Sequence, residues 1–87
     1  MARVLMYCTA SCPYCHAADR LLQRKGVSDI ERVRVDLEPA RRAEMQQKSG
    51  RYTVPQIWIG GRHVGGSDDL HDLDDAGQLD QLLAKAP

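Results

Sequence analysis

Cys12-Pro13-Tyr14-Cys15 sets two thiols two residues apart, directly behind an apolar run, and restricts the fold more than any other feature of the chain. The sulfurs can close a small ring only if the backbone between them turns into a helix. Pro13 favours that turn, because its fixed φ suits the first helical position and its missing N–H is not needed there. Cys12 then becomes the N-cap, with the free N–H groups of the first turn aimed at its sulfur. A thiolate gains from those donors and from the positive end of the helix dipole. Cys12 is therefore expected to act as the nucleophile and Cys15, one turn inside, as the protonated resolving thiol of a dithiol–disulfide couple.

The same letters serve other chemistries. A CxxC pair is half of a zinc site, and Cys12 to His16 spells the CxxCH of a c-type haem attachment. Haem attachment needs export, yet Met1-Ala2-Arg3 runs straight into Val4–Cys8 with no signal-peptide layout. Zinc needs two further ligands, and Cys8, His16, His63 and His71 form no second CxxC or HxxxH. No metal is expected, and His16 reads as a solvated first-turn residue. The 87 residues form one domain, 1–87, long enough for a core without metal or several disulfides. Twelve basic and twelve acidic residues balance, so neither nucleic acid nor an anionic membrane is an expected partner. No apolar run reaches a membrane-spanning length. Three cysteines, an odd and low count, speak against a secreted disulfide scaffold and for a catalytic pair in a reducing cytoplasm.

Val4 to Cys8 is continuous and apolar, which suits a central strand covered on both faces. Residues 13 to 25 follow as a helix with Cys15, Ala18, Leu21 and Leu22 on one face and Gly26 as its stop. Glu31 to Leu37 alternates strictly and predicts a strand with one polar face at a sheet edge. Pro39 opens a second helix that Gly50 ends. Ala40, Ala43 and Met45 give it a weak apolar stripe, and its charges, including Glu44 and Lys48, read as a solvated face. Gln56–Ile59 and Arg62–Val64 flank Gly60-Gly61, a two-residue hairpin signal. Ser67 reads as the N-cap of a third helix, with Asp68 and Asp69 in its first turn. Leu70 and Leu73, then Leu79, Leu82 and Leu83 beyond Gly77, mark two short helices. The order βαβαββαα joins a parallel βαβ unit to an antiparallel hairpin. The predicted fold is α/β and thioredoxin-like, a four-stranded mixed sheet with helices on both faces.

Three blocks, Cys12-Pro13-Tyr14-Cys15, Thr53-Val54-Pro55-Gln56-Ile57-Trp58-Ile59 and Gly65-Gly66-Ser67-Asp68-Asp69-Leu70, occur in the order and spacing of the glutaredoxins. The chain resembles the small dithiol glutaredoxins of bacteria over essentially its whole length. The resemblance implies a glutathione-dependent oxidoreductase that reduces protein–glutathione mixed disulfides and some protein disulfides. Glutathione would be reductant and co-substrate, the protein partners would carry glutathionylated or disulfide-bonded cysteines, and a monomer is expected.

Read from residues alone, Pro55 can begin an edge strand with a trans bond or turn the chain with a cis one. The resemblance implies cis, with Thr53 and Val54 offering their backbone to the cysteinyl unit of glutathione. Gly66, Ser67 and Asp68 make a plain helix cap on their own terms. By resemblance they hold the γ-glutamyl carboxylate, with Asp68 facing its ammonium. The resemblance further implies that Tyr14 flanks the tripeptide and that Arg42 takes its glycyl carboxylate, whereas Trp58 is assigned to packing. Two positions depart from the family pattern. Thr9 stands where many relatives carry a lysine, and Cys8 ends the first strand where a hydroxyl residue is common; Cys8 reads as a small buried hydrophobe. Two other functions are open to such a chain. A glutathione-ligated iron–sulfur carrier would more often have a single motif cysteine without the following proline. A thioredoxin-type disulfide reductase would more often carry Gly-Pro between the cysteines and lack the Gly-Gly-Ser-Asp-Asp run.

Overall fold

Val4–Cys8 is apolar on both faces because, as β1, it lies inside a sheet of order β2-β1-β3-β4. The computed structural model describes residues 2–85. After β1 the chain forms α1 (Pro13–Arg24), β2 (Ile30–Arg34), α2 (Pro39–Ser49), β3 (Gln56–Ile59), β4 (Arg62–Gly65), α3 (Ser67–Asp75) and α4 (Leu79–Ala84). β1 runs parallel to β2 and antiparallel to β3, and β3 and β4 form the expected hairpin. Gly60 and Gly61 turn it with φ of 58° and 84°, the paired positive values that a two-residue turn requires.

Because strand side chains alternate, each face of the sheet builds its own core. Val4, Met6, Ile57 and Ile59 pack against Cys15, Ala18, Leu21 and Leu22 of α1, with Leu70, Leu79 and Leu83 closing the layer from α3 and α4. Side chains such as Leu22, Ile57 and Ile59 are fully buried, and each contributes about 1.5–3 kcal/mol of apolar transfer. The opposite face collects Tyr7, Val33, Val35, Met45 and Trp58 beneath α2.

Three local expectations need correction. The alternating pattern to Leu37 suggested a seven-residue strand, but β2 stops at Arg34. Val35 donates to the Cys8 carbonyl at the very end of β1, leaving no backbone partner beyond it. Leu37 and Glu38 both donate back to the Arg34 carbonyl, so the segment turns toward α2 and Leu37 is exposed. In α2, only Met45 of the supposed apolar stripe is buried, and Ala40 and Ala43 face solvent. Polar contacts supplement that weak anchor. The Tyr7 hydroxyl donates to Glu44, which also pairs with Arg41 at 3.1 Å, and Lys48 donates to the same hydroxyl at 3.2 Å. Lys48, though exposed, thus takes part in these contacts, its ammonium 4.6 Å from the Trp58 ring centroid. Finally, the N-cap of α3 is Gly66, and Ser67 is already its first helical residue.

Candidate active site

The nucleophile position is built by the first turn of α1. Cys12 is its N-cap in extended conformation, and its sulfur accepts the Cys15 N–H at 3.2 Å. Both cysteines are free thiols, Cys12 being 9% exposed and Cys15 3%. Burial pushes the Cys15 thiol well up, and its contact with Cys12 adds to that rise. Cys15 therefore holds its proton until chemistry brings a better acceptor close. His16 meets the Ala10 carbonyl through Nε2 at 3.0 Å, so it is exposed but not without a partner as the sequence suggested. The Arg34 fork on Asp36, at 2.7 and 2.6 Å, is the main cause holding that carboxyl down at about 2. Cys8 is buried in the same core, and burial raises its thiol, with Arg34 and Arg32 pulling partly back.

Across from α1 lies the segment leading into β3. The Val54–Pro55 bond is cis, and the Cys12 thiol donates to the Val54 carbonyl at 3.7 Å. Beside it opens a cleft of about 280 Å³. Tyr14 borders it from α1, Thr53, Val54 and Pro55 form one wall, and Gly66, Ser67 and Asp68 at the head of α3 form the other. The sequence thus pointed to residues that the fold brings to one place. Arg42 stands apart, half-buried in the first turn of α2 and outside the cleft lining. A larger groove of about 780 Å³ lies at the other end of the sheet, between the start of β1 and Gly61, remote from the thiols.

Two lining residues were not assigned to the site from the sequence: Arg51, and Asp69, which was read only as a first-turn acid. Asp69 accepts the Gly66 N–H at 2.9 Å and the Arg51 guanidinium at 2.8 Å, and Arg51 is the leading cause of its lowered pKa. The acidic residue three positions after Gly66 was the available signal, since a carboxylate there reaches back to the cap. Ser67 is turned elsewhere, its carbonyl and hydroxyl meeting His71 Nδ1 at 2.8 and 3.3 Å.

A mixed four-stranded sheet that carries a Cys-Pro-Tyr-Cys pair at the head of its first helix defines a thiol–disulfide oxidoreductase of thioredoxin-like fold. The glutaredoxin family profile matches residues 4–64. A glutaredoxin of Pseudomonas aeruginosa is 57% identical over 84 residues, covering 97% of this chain and 99% of that protein. Glutaredoxin 3 of Escherichia coli is 52% identical over 83 residues, covering 95% and 99%. The crystal structure of a buckwheat glutaredoxin–glutathione complex superposes with a TM-score of 0.87 at 28% identity, covering 94% of this chain and 76% of that one. The chain belongs to the glutaredoxin family.

Proposed function

We propose that this protein reduces protein–glutathione mixed disulfides, and protein disulfides, at the expense of glutathione. The Cys12 thiolate attacks the glutathione sulfur of a mixed disulfide. The sulfur–sulfur bond to the protein breaks, the protein thiolate leaves and takes up a proton, and glutathione remains on Cys12. A second glutathione thiolate attacks that sulfur, frees Cys12 and departs as glutathione disulfide. With a protein disulfide, Cys12 first forms a mixed disulfide with the substrate. Cys15 then gives up its proton, attacks the Cys12 sulfur and expels the substrate thiolate. Two glutathiones reduce the resulting Cys12–Cys15 disulfide in two exchanges.

The observation that carries this reading is the placement of the Cys12 sulfur 3.7 Å from the Val54 carbonyl, beside a cleft that ends at the first turn of α3. An extended tripeptide laid along that line has its cysteinyl backbone against Val54, like the end of an added strand. Its γ-glutamyl carboxylate reaches the N–H groups at the head of α3, where the helix dipole favours an anion. Asp68 faces the ammonium, and the exposed Tyr14 ring flanks the peptide. For the glycyl carboxylate the family resemblance points to Arg42, which forms no ion pair among the described residues but lies outside the cleft lining, whereas Arg51 lines the cleft and is engaged by Asp69. The low cysteine count supports a reducing cytoplasm as the site of action.

The deciding experiment follows turnover of a glutathionylated peptide with alternative electron sources. Glutathione with glutathione reductase should sustain it, and thioredoxin reductase should not. Equal or better turnover with thioredoxin reductase would overturn the assignment.

A further inference from the structure

Gln56 is a polar side chain with no exposed surface, at the start of β3 and opposite Tyr7 in the β1–β3 pairing. Its amide nitrogen donates to the Thr53 carbonyl at 3.1 Å, and its amide oxygen meets His63 Nε2 at 2.9 Å. We infer that Gln56, oriented by His63, is a positioning residue that aims the Val54 N–H at the substrate's backbone. The inference rests on the proposed pairing of glutathione with Val54.

The argument runs through one peptide plane. The Thr53 carbonyl and the Val54 N–H belong to the same rigid unit and point in opposite directions. Whatever holds the carbonyl oxygen therefore fixes where the N–H points. The hydrogen bond from Gln56 does this from inside the protein, and the N–H on the other side has no acceptor among the described residues. A primary amide can, however, present either end. His63 removes that freedom. Its ring packs on Trp58 with centroids 4.5 Å apart, and the two residues are direct partners across the β3–β4 hairpin. The hairpin thus sets the ring, and in the tautomer with its proton on Nε2 that N–H is received by the amide oxygen. The amide nitrogen must then face Thr53. A flipped amide would set its oxygen against the Thr53 carbonyl whatever the tautomer, and its N–H against His63 when Nε2 carries the proton, and in a buried site water does not relieve the clash. The hairpin, the His63 ring, the Gln56 amide and the Thr53–Val54 peptide so form one continuous support for the wall opposite Cys12.

Steady-state kinetics on a glutathionylated peptide, with glutathione as reductant, test this. Gln56→Glu, assayed at a pH where the carboxylate is ionised, keeps the shape and the acceptor toward His63 but has no donor for Thr53. His63→Phe keeps a ring against Trp58 but removes the orienting donor, and His63→Gln restores an N–H there. On the scale of one buried hydrogen bond, KM for the peptide should rise about tenfold in Gln56→Glu, with kcat held within about twofold. His63→Phe should move KM in the same direction, and His63→Gln should bring it back toward wild type. The rate at which iodoacetamide alkylates Cys12, which needs no backbone pairing, should stay unchanged in all three. An unchanged KM in Gln56→Glu, or a fall in kcat and alkylation in step with a lowered melting temperature, would overturn the inference. If Gln56→Glu does not fold, the two His63 variants decide by the same criterion. A wild-type protein that turns over with glutathione but never saturates with the peptide would overturn the pairing itself, and the inference with it.

Discussion

Cys12 and Cys15 share one helical turn, yet their surroundings give them different chemistry. Cys12 caps the helix and sits against the Val54 carbonyl, within reach of a substrate in the cleft. Cys15 lies in the core with its proton held by burial. Replacing Cys12 by Ser should therefore abolish every reaction. Replacing Cys15 by Ser should retain deglutathionylation, because a second glutathione can resolve the Cys12 adduct, and should lose most protein-disulfide reduction. Parallel assays on a glutathionylated peptide and a disulfide-bonded protein check this, and equal loss of deglutathionylation in both variants would falsify the single-nucleophile scheme. Cys8 shares the core with both thiols and is raised by burial, with no hydrogen-bond acceptor for its thiol among the described residues. Cys8→Ser should leave turnover nearly unchanged, and mild oxidation of the wild type should yield no Cys8 disulfide by mass spectrometry. At this scale the dithiol and the cleft residues were legible because each sits in a short contiguous motif, whereas the cis bond at Pro55 was left open by the residues and implied only by the family resemblance. Arg51, His63 and Gln56 were not legible, because their meaning lies in partners across the fold: Asp69 is eighteen residues from Arg51, and His63 seven from Gln56.

At the scale of elements, the head of α3 is where geometry is tightest. Gly65 has φ +118°, and a Cβ built on it would overlap the Asp69 carboxylate. That carboxylate cannot simply move, since it holds the Gly66 N–H and Arg51 together. Gly65→Ala should therefore cost about 1–3 kcal/mol in urea unfolding, from backbone strain plus the displaced carboxylate. It should also weaken glutathione binding by calorimetry, since the proposed anion site shares that turn; unaltered stability and affinity would refute the account. Elements with a single strong signal were readable from sequence. β1 is uniformly apolar, α1 has a coherent buried face, and the hairpin carries two glycines. β2 was read too long because alternation continues past the point where β1 stops offering partners, and pairing rather than pattern ends a strand. The anchoring of α2 was invisible for a related reason. Its apolar stripe is one methionine, and the Tyr7 hydroxyl that gathers Glu44 and Lys48 comes from a strand far away in sequence.

Over the whole molecule, these charged and buried groups should give stability a flat top with two different edges. Burial, the leading cause, lowers the His63 pKa from its ordinary 6.5, so the unfolded chain takes up that proton first and stability begins to fall below about pH 6.5. A steeper loss should follow at lower pH. Asp19 is held down chiefly by Arg32, Asp69 by Arg51, Glu44 by the Tyr7 hydroxyl and Asp36 by Arg34, the last to about 2. A carboxylate lowered by folding stabilises fully above its unfolded value, near 4, and that contribution is lost as pH falls through the folded one. Three of these contacts join separate elements: Asp19 ties α1 to β2, Asp69 ties α3 to the approach to β3, and Glu44 ties α2 to β1. Their protonation therefore loosens packing between layers. On the alkaline side the sign reverses. Burial raises Cys8 and Cys15, so the unfolded thiols ionise first and stability should decline above about pH 8.5. Melting temperatures measured across this range should plateau between the His63 edge and the thiol edge. Asp19→Asn should flatten the acid arm, and Cys8→Ser should soften the alkaline one. A melting temperature that climbs steadily from pH 7 to pH 10 would show that the buried thiols do not set the upper edge.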